Sequence, residues 1–372
     1  MIEVVEVKTA KQQKEFLEFP LRLYRGNPYF VPPLYGDEKK IFRSDYIYYD
    51  TCEAVYFNAY KNGKIAGRIS GILQKAANEK NHEKRIRFTR FDSINDKKVA
   101  KALFDAVEDW GRRKGMDTIC GPLGFSDLER EGLLVEGFQE LSTFCEQYNA
   151  PYYGKLIESL GYEKEVDWLE SRIYPPEEDD GSLEKLADFV MKRYNLHFGT
   201  AKSPQDFLDK YQQQFFDLLD VAYDGLYGTV PFTEGMKKMM MDNFKLIIDL
   251  RHIAVILDEN EKIVCLGLCF PSIAKAVQKS FGHLTPAGIS RILRSIKHPK
   301  VLELGLIAVA PEYINRGITS VLSAEVLKML REDGVEYAET NLNLESNVAI
   351  RNQWKRFKAV QHKRRRAYIK KL

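Results

Sequence analysis

The stretch Leu302-Glu-Leu-Gly-Leu-Ile-Ala-Val-Ala-Pro-Glu-Tyr-Ile-Asn-Arg-Gly-Ile-Thr-Ser-Val-Leu322 runs from an apolar strand pattern through a proline and a polar turn to Gly317, where helical periodicity begins. A strand, a turn and a helix start suit a phosphate. The first turn of a helix leaves backbone N–H groups unpaired and carries a partial positive charge, so it can hold a pyrophosphate without side-chain contacts. Gly317 permits close approach of the backbone. One glycine before a helix equally fits an ordinary strand-to-helix connection. The neighbouring features must decide between the two.

The chain that positions this segment has 372 residues, room for two to three domains at about 150 residues each. With 44% apolar and 29% charged residues, composition is that of an ordinary globular protein and excludes disordered or collagen-like classes. No run approaches the ~18 apolar residues of a membrane span. Residues 1–16 show no basic segment followed by an apolar run, so no secretory signal is expected either. A cytoplasmic address without a membrane partner follows as the expectation. Cys52, Cys120, Cys145, Cys265 and Cys269 are scattered through apolar surroundings, unlike a disulfide framework or a zinc site, and read as reduced core thiols with no metal. Cys265 and Cys269 lie an even number apart, so a strand would point both to one face.

Composition shifts at Tyr174-Pro-Pro-Glu-Glu-Asp-Asp-Gly-Ser182, where two prolines and four acids cannot build a helix or strand interior. The expected organisation is therefore a domain over 1–175, a linker over 176–182 and a domain over 183–372. Similar patterns recur on both sides, as in a tandem duplication. Residues 53–60 and 65–72 flank an Asn62-Gly63 turn and predict a hairpin. Extended residues 87–91 then precede a helix with apolar Val99, Leu103, Ala106, Val107 and Trp110. In the second half, 253–257 and 263–270 predict a hairpin. A strand over 301–309, a helix from about 318 to 334, a strand over 337–344, a helix around 347–357 and a closing strand over 367–371 follow.

At this point the sequence resembles the GNAT N-acetyltransferases, which use acetyl-coenzyme A. Their strand ending Val-x-Pro, loop of the type Gln/Arg-x-x-Gly-x-Gly/Ala and following helix are matched by Val309, Pro311 and Ile314-Asn315-Arg316-Gly317-Ile318-Thr319. Ile314 stands where Gln or Arg is usual, and Thr319 where a small residue is usual. Asn347-Val-Ala-Ile-Arg-Asn-Gln-Trp-Lys-Arg-Phe357 resembles the family's Asn-x-x-Ala-x-x-x-Tyr-x-x-x-Gly-Phe helix, with Trp354 in place of the tyrosine that often reprotonates the leaving thiolate. The resemblance implies two tandem GNAT-like α/β domains, each a mixed, mostly antiparallel sheet flanked by helices. It further implies that the amides from Asn315 through Arg316, Gly317, Ile318 and Thr319 to Ser320 hold the pyrophosphate. Asn347 and Trp354 would lie along the pantetheine arm.

Glu303 occupies the position where the histone-acetylating branch keeps the carboxylate that deprotonates the attacking amine. An ammonium has no lone pair until its proton is taken. A solvated strand glutamate is the alternative. Six residues separate Glu303 from Val309, so an unbroken strand would set both on one face. The Val309 N–H would polarise the thioester carbonyl. Glu339 and His362 are weaker candidates for the base. The implied activity is direct transfer of an acetyl or other acyl group from acyl-coenzyme A to a small-molecule or peptide amine in a ternary complex, because no Cys, Ser or Lys is placed for a covalent relay.

The first half echoes the family in outline. Residues 149–162 resemble its Asn helix, while the stretch before the first long helix, Phe91-Asp-Ser-Ile-Asn-Asp-Lys-Lys98, has two acids and no glycine where phosphate would sit. That predicts a degenerate domain without coenzyme. Residues 22–34 read as a clamp loop, and Met236-Lys-Lys-Met-Met-Met241 as core filler, with an adaptable pocket for an oily acceptor as the other reading. Residues 351–372 hold ten Lys or Arg and no acid. Overall charge is +3, so the preceding 350 residues carry −7. A charged sheet end or a coenzyme-phosphate contact accounts for this tail better than nucleic acid, since no aromatic platform is interleaved. Two rival functions remain: a coenzyme-binding protein without catalysis, and an aminoacyl-tRNA-dependent transferase of the two-domain peptide-bridge type.

Overall fold

The computed structural model describes residues 1–178, 180–247, 249–332 and 334–372. Asp179 of the expected linker and Asp333 of the expected 318–334 helix lie outside the described residues. The chain divides into two compact units. The first comprises 1–169, 273–292 and 362–372, and the second 170–272 and 293–361. The boundary read from the sequence at 176–182 falls shortly after the Leu169/Glu170 division.

The first unit opens with β1 (Ile2–Glu6), α1 (Ala10–Leu23) and α2 (Tyr35–Lys39), followed by β2 (Cys52–Lys61) and β3 (Lys64–Gln74). Then come α3 (Lys75–Asn81), β4 (Arg85–Ser93), α4 (Lys97–Arg113), β5 (Thr118–Gly121), β6 (Leu133–Glu136) and α5 (Tyr153–Glu158). Strand β7 (Glu163–Tyr174) continues into the second unit. The hairpin of β2 and β3 turns at Asn62 (φ 52°) and Gly63 (φ 75°), two left-handed residues, as a tight hairpin turn with native twist requires. The α4 face bearing Val99, Leu103, Phe104 and Val107 is fully buried against Ile69, Ile86 and Phe88, so the three-to-four spacing read in the sequence is the core stripe. Asn149 ties its loop to β6 by accepting from the Leu134 N–H at 2.7 Å and donating to the Leu134 carbonyl at 3.0 Å.

The second unit contains α6 (Ser182–Arg193), β8 (His197–Phe198), α7 (Pro204–Tyr223), α8 (Glu234–Ile247), β9 (Ile253–Leu257) and β10 (Ile263–Pro271). The excursion α9 (Ala274–Lys279) and α10 (Pro286–Lys297) follows, its first part counted with the first unit. Next are β11 (Val301–Val309), α11 (Thr319–Leu330), β12 (Tyr337–Thr340), β13 (Asn343–Leu344) and α12 (Val348–Gln353). The final strand, β14 (Lys358–Lys371), passes into the first unit. Strands neighbour one another in the order β1-β2-β3-β4-β5-β14 in the first unit and β7-β12-β11-β10-β9-β8 in the second. Each contains a parallel pair joined through a helix, β4 with β5 and β11 with β12, beside antiparallel neighbours. The fold is thus α/β with mixed, mostly antiparallel pairing, as the sequence implied.

Strand β14 is nine residues longer at its start than the 367–371 expected, because its alternation is hidden by charge. Lys363 and Arg365 occupy buried positions that a hydropathy pattern assigns to apolar side chains. Glu146 lies 3.9 Å from the Arg365 guanidinium, and acids compensate the neighbouring cations. Arg366 and Arg364 reach the buried Asp167 carboxylate at 2.8 and 3.1 Å, and Lys370 reaches Glu108 at 2.7 Å. Burial alone would lift the Asp167 carboxyl. Hydrogen bonds from Arg366 and Lys164 outweigh it and hold the group below the usual range.

All five cysteines are free and four are buried, with burial pushing the Cys269 thiol up to about 12, so the buried four are not poised as nucleophiles. Among the described residues no group of side chains could hold a metal ion. Met236, Met240 and Met241 are buried in the core. The loop after α1 is fixed by Gln278, whose side-chain amide donates to the Pro28 and Phe30 carbonyls, both at 3.0 Å.

Candidate active site

The site in the second unit is built on β11 and what happens to it at Gly305. From Val301 to Leu304 this strand pairs in parallel with Tyr337 to Thr340 of β12. On its other side Leu304 faces Cys269 and Leu306 faces Leu268, so Gly305 is an extra residue, a β-bulge. A side chain there would put its Cβ 2.6 Å from the Phe270 ring, which is why the position is glycine. Beyond the bulge the β12 partner is gone among the described residues, and β11 presents an unpaired edge from Ile307 to Val309.

Ladder geometry fixes which amides point into that opening. Ala310 N–H donates to the Val264 carbonyl at 2.8 Å, so alternate residues of β11 bond to β10 while the Ile307 and Val309 N–H groups turn away from it. The Ile307 amide accordingly meets the Tyr223 hydroxyl at 3.4 Å. The bulge also changes the face relation read from the sequence. Glu303 lies opposite Phe270 and Val309 opposite Cys265, five positions apart on β10, so their side chains fall on opposite faces. The even count of six fails because one residue of β11 is spent on the bulge.

After Val309 the chain turns through Pro311–Tyr313 in a short 3-10 turn, then through Asn315 at φ 64° and Gly317 at φ 80° into α11. Ile318, its N-cap, supplies no side-chain hydrogen bond. The amides of Asn315, Gly317, Ile318 and Thr319 likewise have no hydrogen-bond partner among the described residues. Left-handed Gly317 followed by helical Ile318 makes successive N–H groups converge, the geometry of an anion nest. Asn315, Arg316, Gly317 and Thr319 are exposed, whereas Ile318 and Ser320 are buried. Ser320 is engaged locally, its N–H and hydroxyl both donating to the Gly317 carbonyl, at 2.9 and 2.7 Å. The Arg316 guanidinium rests on the Tyr194 and Tyr313 rings at 5.6 and 5.5 Å. These unpaired donors, on a turn exposed at Asn315, Gly317 and Thr319 and beside a cation, fit a diphosphate.

Helix α4 of the first unit starts differently. Its N-cap Asp96 accepts from the Lys98 N–H at 2.8 Å and pairs with Lys61 at 2.6 Å. A resident carboxylate therefore satisfies this helix start.

Glu303 is fully buried, and in the parallel register it stands opposite Glu339, itself 5% exposed. Glu339 in turn faces Arg172 across β7, and the Arg172 guanidinium lies 5.0 Å above the Tyr337 ring. Two carboxylates and one guanidinium thus form a row across β11, β12 and β7. Burial, then the charge of Glu339, pushes the Tyr337 phenol up, which keeps it protonated. His362 lies in the first unit, with Nδ1 3.6 Å from Glu140. Asn347 caps α12 by accepting from the Ile350 N–H at 3.2 Å, and Trp354 donates its indole N–H to Asn343 at 2.8 Å. Neither Arg172 nor Tyr223 is signalled by a sequence motif. The lone glycine inside the β11 pattern was the one available mark of the bulge.

No family model matches the chain. It is 28% identical over 373 residues to protein YghO of Escherichia coli K12, covering 96% of this chain and 93% of that one. It is 26% identical over 388 residues to the bacterial ceramide synthase of Caulobacter vibrioides, covering 100% and 98%. Among solved structures, a tandem GNAT protein from the clavulanic acid biosynthesis pathway superposes over 100% of this chain and 98% of its own, with TM-score 0.53 and 12% identity. The chain has the tandem GNAT fold. A GCN5-related glucosamine N-acetyltransferase region in a fungal multi-domain β-N-acetylglucosaminidase gives TM-score 0.55 at 12% identity, over 100% of this chain and 38% of that one. In tandem GNAT terms, the second unit carries the parted strand and the uncapped helix, and the first carries the capped helix.

Proposed function

We propose that the protein is an acyl-coenzyme A-dependent N-acyltransferase working in its second unit on an amine acceptor. One observation carries the reading: the unpaired β11 edge leads directly into a loop whose amides at Gly317, Ile318 and Thr319 have no hydrogen-bond partner among the described residues, with Gly317 and Thr319 exposed. Those amides, with Arg316, would hold the diphosphate, and Asn315 and Ser320 would keep the loop's shape. Asn347 and Trp354 are the candidates for the pantetheine arm. Bound acyl-coenzyme A supplies the activated thioester.

This chain's residues supply the rest. The Val309 N–H donates a hydrogen bond to the acyl oxygen, where a fixed dipole in a dry setting is worth more than in water. Glu303 takes the acceptor's proton through water, and Glu339 with Arg172 positions its carboxylate. Trp354 cannot return a proton to the leaving sulfur, whereas the Tyr223 hydroxyl, already at the open edge, can. A ceramide is the amide of a long-chain amino alcohol, so the similarity to a bacterial ceramide synthase puts a long-chain primary amine first among acceptors to test. The basic C-terminal strand is committed to Asp167, Glu136 and Glu108, which speaks against tRNA.

The test is calorimetric titration with coenzyme A, followed by release of free thiol from acetyl- and long-chain acyl-coenzyme A across an amine panel. Binding together with amine-dependent thiol release is expected. Binding without release leaves a coenzyme-binding protein, and absence of binding overturns the reading.

A further inference from the structure

No helix among the described residues is long and apolar enough to cross a membrane, but a peripheral surface is a different matter. Eleven large apolar side chains are exposed in the described chain, and four of them, Phe281 (53%), Leu284 (55%), Ile289 (44%) and Leu293 (58%), fall within one stretch of thirteen residues. The surrounding segment 273–300 holds six Lys or Arg and no acid, and no Asp or Glu occurs anywhere from Ile263 to Leu302. Apolar exposure and positive charge are therefore concentrated in the same place.

Helix α10 organises them. At about 100° per residue, Ile292, Ile296, Ile289 and Leu293 occupy one continuous sector of about 100°. Lys297, Arg294 and Arg291 follow on the adjoining side. Ile292 and Ile296 are half-buried, and the sector continues outward onto exposed Ile289 and Leu293. A helix of this kind, apolar on one side and purely cationic beside it, matches a surface that is oily beneath and anionic above.

The tip before α10 adds an independent mark. Phe281 adopts φ 50° just after the α9 C-cap, with the Gly282 N–H returning to the Val277 carbonyl at 3.1 Å. Glycine normally fills this left-handed place, because a bulky side chain is strained there. Here it is phenylalanine, and 53% of it stays exposed. The tip is also held firmly. Tyr35 N–H donates to the Gly282 carbonyl at 2.9 Å, and the Tyr35 and His283 rings lie 4.7 Å apart. A strained, exposed ring on a fixed support is a feature maintained for contact.

We infer that Phe281, Leu284 and the Ile289/Leu293 side of α10, with Arg291, Arg294 and Lys297, form a docking surface for an anionic phospholipid bilayer. The apolar side chains enter the interfacial region and the cations meet lipid phosphates. The inference does not depend on the transferase reading, and its test contains no coenzyme.

Full-length protein is sedimented with vesicles of phosphatidylcholine alone or mixed with phosphatidylglycerol. Binding is expected to the mixed vesicles and to weaken with added salt. Leu293→Asp and Phe281→Gly should each weaken it about tenfold or more, since each withdraws one large apolar side chain from the interface. Both positions are exposed, and Phe281→Gly relieves the left-handed strain, so its melting temperature should not fall. No binding to the mixed vesicles, or equal binding by both variants, overturns the proposal. So does a concentration-dependent self-association that Leu293→Asp abolishes, which would make the surface an interface between copies.

Discussion

Replacing Gly317 with alanine separates an anion-binding loop from an ordinary connection. The backbone there is at φ 80°, and an added Cβ would meet only Val190 Cγ2 at 3.4 Å, an ordinary contact. The cost is therefore conformational, about 1–2 kcal/mol for an L-residue in the left-handed region. The loop relieves it by rotating the peptide that joins Gly317 to Ile318, which turns one N–H out of the nest. A hydrogen bond to a charged group contributes about 1.5–3 kcal/mol, so coenzyme A affinity should fall about tenfold to a hundredfold. Calorimetry reads the affinity and urea unfolding the stability. Gly115 is the control, with φ 75° and nothing within 4 Å of an added Cβ. Gly115→Ala should lose similar stability and no affinity. The reasoning fails if Gly317→Ala binds as tightly as the parent, or if Gly115→Ala weakens binding equally.

Glu303→Gln should lower kcat by about a hundredfold or more with coenzyme affinity unchanged, and steady-state kinetics beside calorimetry would show it; an unaltered kcat removes Glu303 from the mechanism. Tyr223→Phe should slow turnover about tenfold or more and erase the alkaline limb of the pH–rate profile, because it removes the proposed proton donor; a profile identical to the parent's assigns the hydroxyl to structure alone. Asp167 is buried and held ionised below its usual range by Arg366, Lys164 and Arg364, so the stability it provides is present above its unfolded pKa and is lost as pH falls through its folded one. Asp167→Asn should cost about 3 kcal/mol at neutral pH and flatten the acid limb of stability against pH, as thermal melts at a series of pH values would record.

Local signals were legible in the sequence and long-range ones were not. The Asn62-Gly63 turn fixes a two-residue hairpin because its left-handed pair matches strand twist, so both flanking strands could be read. The turn into α11 was visible in the same way, through Gly317 and the helical pattern behind it. The row Glu303, Glu339 and Arg172 depends on strand register across three segments, which no single stretch encodes. The bulge at Gly305 then reverses which face a counted residue takes, so even spacing misled. Lys363 and Arg365 show the third kind of failure. A charged side chain is placed inside only once its partners are present, and Glu146 beside Arg365, like Asp167 and Glu136 beside the flanking Arg364, comes from distant sequence.

The two units repeat one device, a strand followed by a helix and a parallel neighbour, and differ in what occupies the helix start. In α4 the carboxylate of Asp96 satisfies the amides and completes the helix. In α11 no side chain does so, and a helix left uncapped forgoes about 1 kcal/mol. That deficit makes sense if something else fills the place for part of the working cycle. Thr319→Asp tests the idea, because Thr319 is the exposed first residue of α11. A carboxylate there favours the helix dipole by about 0.3–1 kcal/mol, yet it repels an incoming diphosphate by about 3 kcal/mol per unit charge at about 5 Å and an effective dielectric near 20. Stability should hold or rise while coenzyme A affinity falls more than tenfold. Misfolding would move both quantities down together, so opposite signs are the signature of a ligand site, and a variant that binds as well as the parent would show that the uncapped turn is only a turn.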